Sequence, residues 1–274
     1  MPRIVYRYPD HLRADAEALP AAPGIYIFHG DNPQLPLYIG KSVNLRARVL
    51  SHLRTRGEAR MLRQARHISY QRTAGEVGAL LLEAQLIKQQ YPLLNRRLRR
   101  KGRLCSLRLA GSKPEVVFAQ QVDFATEPQL YGLFASQAAA QDLLRKLADE
   151  HRLCLGALGL EKQPAGRACF RALLQRCGGV CRGDEALQDH TARLRAALES
   201  LALACWPHPG AIGIVERDED FAQIHVVRNW CYLGTVSDAA AAAQLAAVAA
   251  EFDADSYKIL CRPLLSGSAE LIAI

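Results

Sequence analysis

No apolar run in this 274-residue sequence approaches the ~20 residues needed to cross a bilayer, and the Ala-rich stretch from Ala239 to Ala250 is short and weakly hydrophobic. The opening residues, Met1-Pro2-Arg3-Ile4 onward, are broken by charges and offer no apolar core of the kind a signal peptide needs. Internal repeats, long low-complexity tracts, and helix-turn-helix or zinc-finger spacings are also missing. A soluble, cytoplasmic, monomeric protein with no membrane contact is expected. In that compartment its eight cysteines are not a disulfide framework.

Acidic residues are missing from two places. Between Lys41 and Gly75 nine Lys or Arg face the single acid Glu58, and between Lys88 and Arg108 eight more face none. From Ala211 onward the balance reverses, with nine Asp or Glu against four Lys or Arg, although the whole chain carries +8. A solvated basic surface would tolerate scattered acids, so their exclusion points to a polyanion held by the first half only. Lys41, Arg46, Arg48, Arg54, Arg56, Arg96, Arg97, Arg99, Arg100 and Lys101 are the candidate contacts.

What is present centres on Gly24 to His52. Gly24-Ile25-Tyr26 and Tyr38-Ile39-Gly40-Lys41-Ser42 are short β-favouring runs, separated by the turn-rich His29-Gly30-Asp31-Asn32-Pro33. A hairpin with both tyrosines on paired strands is expected. Asn44 then caps a helix in which Leu45, Val49 and Leu53 recur at four-residue spacing, with Arg46, Arg48 and His52 on its flanks. Two tyrosines, a lysine, an arginine and a histidine thus converge with no acid among them, which suits a phosphate. Each tyrosine alone reads equally as an ordinary strand residue. Gly75 to Gln90 reads as the clearest helix, ended by Tyr91-Pro92. Its Glu83 has Ala79, Leu80, Leu86 and Ile87 as helical neighbours, so a carboxylate emerges from an apolar face. On helix geometry alone it is a solvated edge residue, half of an ion pair, or a group needing a cation.

The two tripeptides, with Lys41, Arg48 and Glu83 following in order and Asn95 after them, resemble the signature of the GIY-YIG nucleases over about residues 20 to 100. The resemblance implies a small antiparallel sheet with helices and a phosphodiester hydrolase using one Mg²⁺ or Mn²⁺ on Glu83. By the same resemblance Tyr38 assists deprotonation of the attacking water with Tyr26 nearby, Arg48 neutralises the phosphate and Asn95 orients the region. An unperturbed tyrosine titrates near 10, so Tyr38 would need help from Lys41 and the metal field. Relatives often carry tyrosine where His52 stands; His52 is read as positioning the water or sharing its proton.

Cys154, Cys169, Cys177 and Cys181 are separated by 14, 7 and 3 residues, amid glycines that let a chain fold tightly about a small object. Four thiols in so short a span read as a metal site. Zinc, an iron–sulfur cluster and plain buried thiols all remain open, with only the last pair matching the short spacing typical of structural zinc. Cys169-Phe170-Arg171 and Cys177-Gly178-Gly179-Val180-Cys181 resemble the cysteine-rich part of the UvrC family of repair nucleases, which implies a [4Fe–4S] cluster. Cys105, Cys205, Cys231 and Cys261 read as core residues.

The expected fold is α+β in three parts: a nuclease domain over 1–103, a linker and cysteine-rich region over 104–205, and a small C-terminal α+β domain over 206–274. In that last part strands are expected at Ala211–Glu216, Ala222–Trp230, Tyr232–Val236, Tyr257–Cys261 and Glu270–Ile274, around an Ala-rich helix. Its Ala211-Ile212-Gly213-Ile214-Val215-Glu216 resembles the end of short UvrC homologues, and 274 residues leave no room for the second nuclease domain of full-length UvrC. The resemblance implies one incision on the 3′ side of a lesion in damaged double-stranded DNA presented by UvrB after loading by UvrA. A free-standing homing or restriction nuclease and a non-catalytic DNA-binding redox sensor are the other readings.

Overall fold

The structure, a computed structural model, describes residues 6–32, 34–95, 103–162, 167–219, 221–249 and 251–274. The chain forms two compact units, one of Met1–Arg100 with His208–Ile274 and the other of Lys101–Pro207. The first unit is thus built from both ends of the sequence.

Its nuclease part is a three-stranded antiparallel sheet in the order β2-β1-β3, from β1 (Gly24–His29), β2 (Pro36–Ser42) and β3 (His67–Arg72). Tyr26 pairs with Gly40 and with Tyr70 across the two ladders. Ile25, Tyr26 and Phe28 are all buried because β1 is covered on both faces, which explains its unbroken apolar run. Tyr26 and Phe28 join Leu45, Val49 and Leu53 of α2 (Leu45–Arg54) and Leu12, ahead of α1 (Arg13–Ala18), in one core. Asn44 caps α2 as expected, its side chain accepting from the Ala47 N–H at 3.0 Å. After the short α3 (Ala59–Gln64), α4 (Glu76–Gln90) packs on β1 and β2.

The C-terminal part of this unit is an antiparallel sheet in the order β10-β7-β8-β9. It is formed by β7 (Ile212–Asp218), β8 (Phe221–Arg228), β9 (Cys231–Val236) and β10 (Glu270–Ala273), with α8 (Ala239–Ala246) on β8 and β9. The expected strand at Tyr257–Cys261 is instead part of a helix, α9 (Ala254–Leu265), which packs on α4. Asp253 caps it by accepting from the Ser256 N–H, and Tyr257, Leu260 and Leu264, spaced three and four apart, bury one face. That periodicity overrides the β-favouring composition of Tyr257-Lys258-Ile259-Leu260-Cys261.

The second unit places β4 (Cys105–Arg108) between β5 (Glu115–Phe118) and β6 (Leu130–Phe134), backed by α5 (Gln137–His151). The four-residue α6 (Phe170–Leu173) precedes α7 (Leu187–Leu198). Leu107, Leu144, Leu153, Leu194 and Leu198 share its core. Just ahead of α7, Asp184 and Glu185 ion-pair with Arg182 and Arg193.

Candidate active site and thiol centre

β2 is the edge of the nuclease sheet, and its outward backbone groups need partners. Asn95 supplies two, accepting from the Ile39 N–H at 2.9 Å and donating to the Ile39 carbonyl at 2.8 Å. Two residues on, Glu83 Oε1 accepts from the Lys41 N–H at 3.2 Å. The carboxylate and the amide are therefore indexed to the strand that carries Tyr38. Among the described residues no ion pair satisfies Glu83, and burial raises its pKa against the pull of the Lys41 N–H and charge. A half-buried, unpaired carboxylate with open lone pairs fits a hard cation with oxygen ligands. The Lys41 ammonium is engaged by Glu76 at 2.5 Å rather than by Tyr38.

On the other face the tyrosines meet α2. The Tyr26 hydroxyl lies 2.6 Å from His52 Nε2, and His52 Nδ1 lies 2.5 Å from Glu58 Oε2. The Tyr26 hydroxyl also meets the exposed Arg48 guanidinium and the Tyr38 hydroxyl. The rings of Tyr26, Tyr38 and His52 stand 5.2–6.2 Å apart. Gly40 makes this possible: a Cβ there would sit 2.4 Å from the Tyr26 hydroxyl oxygen. Burial, followed by the neighbouring Tyr38, pushes the Tyr26 hydroxyl far above the ordinary tyrosine range. Burial and then Glu83 raise Tyr38. Burial lowers His52, against the contrary effect of Glu58. A chain Tyr38–Tyr26–His52–Glu58 results, with a neutral imidazole in it.

The geometry thus brings together Tyr26, Tyr38, Arg48 and His52, and sets Lys41, Glu83 and Asn95 along the β2 edge. Glu58 was not singled out among the candidates; the signal for it was its survival as the lone acid in a basic stretch. Of the proposed polyanion contacts, Arg46, Arg54 and Arg56 are exposed, with Arg46 also bonded to the Leu19 carbonyl at 2.6 Å. Arg96, Arg97, Arg99, Arg100 and Lys101 lie outside the described residues.

In the second unit the sulfurs of Cys154, Cys169, Cys177 and Cys181 all fall within 4.8 Å of one another. Cys169 Sγ is 4.0 Å from Cys154 Sγ and 3.8 Å from Cys177 Sγ. Backbone N–H groups of Ala172, Gly179 and Cys169 donate to the sulfurs of Cys169, Cys177 and Cys181 at 3.3–3.4 Å. His190, fully buried, fixes Cys154 by accepting from its N–H at 3.0 Å. Burial pushes the Cys154 thiol up to about 12, and Cys169 upward as well. Amide-supported thiols that resist ionising alone suit a cation. Four converging sulfurs are what either a single tetrahedral ion or an iron–sulfur cluster needs from the chain.

Residues 22–96 match the UvrC-like GIY-YIG domain, 104–200 the middle domain of UvrC/Cho excinucleases, and 211–274 the excinuclease Cho C-terminal domain. Excinuclease Cho of Salmonella typhi is 56% identical over 270 residues, covering 98% of this chain and 92% of that one. The Escherichia coli K12 protein of the same name is 53% identical over 267 residues, covering 97% and 90%. A crystal structure of the GIY-YIG endonuclease domain of UvrC from Thermotoga maritima, bound to magnesium as its catalytic divalent cation, is 34% identical. It covers 31% of this chain and 94% of that one, with a TM-score of 0.29.

Proposed function

Because this chain belongs to the Cho branch of the UvrC excinuclease family, we propose that it makes a single incision in damaged duplex DNA, hydrolysing one phosphodiester on the 3′ side of a lesion held by UvrB. The enzyme is a metal-dependent endonuclease. The observation that carries the site reading is the hydrogen-bonded chain from Tyr38 through Tyr26 and His52 to Glu58, which starts on β2, the strand whose edge holds Glu83.

A divalent cation on Glu83, when bound, supplies Lewis-acid activation of the scissile phosphate and its departing 3′ oxygen. The protein does the rest. Glu83 would hold the cation through its single carboxylate. Tyr38 takes a proton from the attacking water as its own passes to Tyr26, and the Tyr26 proton passes to His52 Nε2. Burial keeps His52 neutral and ready to accept; Glu58 orients Nδ1–H and stabilises the imidazolium that forms. Arg48, exposed beside Tyr26, neutralises charge on the phosphate. Asn95 keeps the β2 edge in register. Cleavage leaves a 5′-phosphate and a 3′-hydroxyl. The four thiols would hold a [4Fe–4S] cluster, with a single zinc ion as the alternative, and either would keep the ends of a loop-rich segment together.

Incision of an end-labelled duplex carrying one bulky adduct, with Mg²⁺ and with or without UvrA and UvrB, tests the reading. A single 3′-side cut that needs both partners and disappears in Glu83→Ala, with DNA binding retained, is expected. Cutting of intact DNA without the partners would replace it with a free-standing nuclease. Metal analysis of protein purified without oxygen should give iron with sulfide and a brown colour; a colourless protein with stoichiometric zinc would decide for the other metal.

A further inference from the structure

Helix α4 carries Glu83, yet its first turn has no cap of its own. Its N-cap residue is Gly75, in extended backbone that any residue adopts, with no side chain to accept the first amides. The acceptor comes from the other end of the chain. Glu216 on β7 takes the Val77 N–H at 2.9 Å and the Gly78 N–H at 2.7 Å, from 138 to 139 residues away. Its carboxylate occupies the place of a cap side chain so fully that a Cβ on Gly75 would lie 2.2 Å from Glu216 Oε1.

The carboxylate is itself held. His225 on β8, fully buried, approaches Glu216 Oε2 with Nε2 at 2.9 Å, and its Nδ1 meets Thr235 Oγ1 at 2.7 Å. A Cβ on Gly78 would fall 2.5 Å from the His225 ring. Gln223 Oε1 accepts from the Ala74 N–H at 2.7 Å, just ahead of the helix. At the far end, Lys88 of α4 is held by Asp253 at 2.6 Å and by Asp255 at 2.9 Å. Burial alone would raise the Glu216 carboxyl, but the bonds from His225, Gly78 and Val77 hold it below the usual range, so an anion sits at the positive end of the helix.

We propose that Glu216, oriented by His225, is a positioning residue for Glu83. It fixes the first turn of α4, and Glu83, about 9 Å further along the axis, is thereby held against the β2 edge. The C-terminal sheet then sets the affinity of the nuclease site for its divalent cation. Glu83 makes one 3.2 Å bond to that edge, too little to hold a helix whose first turn frays. This rests on the reading that Glu83 holds the cation.

Mn²⁺ binding to the full chain without DNA, followed by electron paramagnetic resonance, tests it alongside the Mn²⁺ dependence of incision. Glu216→Ala should weaken Mn²⁺ binding about 10-fold or more, leave the DNA concentration for half-maximal incision unchanged, and recover activity at high Mn²⁺. Gly75→Asp in the Glu216→Ala background places an acceptor in the vacated space and should restore the affinity, whereas Gly75→Asp alone meets Glu216 and should weaken it. Unchanged Mn²⁺ affinity in Glu216→Ala, or a loss that Gly75→Asp fails to recover, would overturn the proposal. Should Glu216→Ala not fold, Glu216→Gln, which keeps one acceptor, should show a smaller loss, and no loss would again overturn it. Glu83→Gln run in parallel separates the two readings. If it binds Mn²⁺ like wild type, the metal assignment fails; if it does not bind and Glu216→Ala still binds normally, only the positioning role fails.

Discussion

Glu83 and the four thiols are both suited to a cation, and they offer it opposite surroundings. Glu83 is a single half-buried carboxylate of α4 set against the edge of β2, with one backbone bond behind it. Cys154, Cys169, Cys177 and Cys181 turn all their sulfurs on one another, and peptide N–H groups back each of them. An ion that must exchange ligands during a reaction needs the first arrangement, and an ion that holds a chain together needs the second. The supports differ in reach as well. The thiols are held by near neighbours and by His190 within one unit, whereas Glu83 depends on residues drawn from both ends of the sequence.

The sharpest way to break this contrast is to remove one donor from each centre. Cys177→Ser should release the bound metal and abolish cooperative melting of residues 101–207, since a structural ion contributes on the order of 10 kcal/mol to such a fold; calorimetry with metal analysis reads both. Glu83→Gln should abolish incision yet leave the melting temperature unchanged or higher, because burial disfavours ionised Glu83. If the thiol variant melts normally, the closed centre is not structural.

Next in size is the proton chain. His52 must be neutral to accept a proton, and burial lowers it below the ordinary value of about 6.5. Incision should therefore persist somewhat below that pH before falling. Glu58 acts to raise His52, so Glu58→Gln should move the acid limb to lower pH while slowing incision about 100-fold at pH 7. An acid limb that stays in place would remove Glu58 from the chain.

Smallest is the acid sensitivity of the helix anchors. Burial alone would raise Asp253, but Lys88 and Ser256 hold it below the usual range. In the unfolded chain it takes up its proton first, at about 3.9, so its stabilising contribution is complete above that pH and is lost as pH falls through the lower folded value. Asp253→Asn should flatten the acid end of a melting-temperature profile; an unaltered profile would remove Lys88–Asp253 from the stabilising contacts.

How legible each centre was follows from the range of its contacts. The hairpin and α2 were readable because turn residues, Asn44 and the Leu45–Val49–Leu53 spacing act within a few positions. Glu83 stood out as a charge on an apolar face, and Asn95 was placed by family likeness. Glu58 was passed over because α2 ends and a single 3-10 turn at Arg56–Glu58 returns the chain beneath His52, a geometry that composition does not encode. Glu216 had no local mark at all. Its trace lay elsewhere, in a glycine at position 75 where a serine or aspartate would normally cap a helix. At α9 the β-favouring residues of 257–261 drowned out the Asp253 cap and the spacing of Tyr257, Leu260 and Leu264.

The joining of residues 1–100 with 208–274 in one unit also has a consequence in time. A ribosome releases the tyrosines, the lysine and Glu83 early, then makes more than a hundred further residues before Glu216 and His225 emerge. Until then the first turn of the Glu83 helix lacks its acceptor, and a growing or prematurely stopped chain holds the whole nuclease signature without the grip that aligns it. A metal-dependent nuclease thereby gains its full grip on the cation only after Glu216 and His225 have been made.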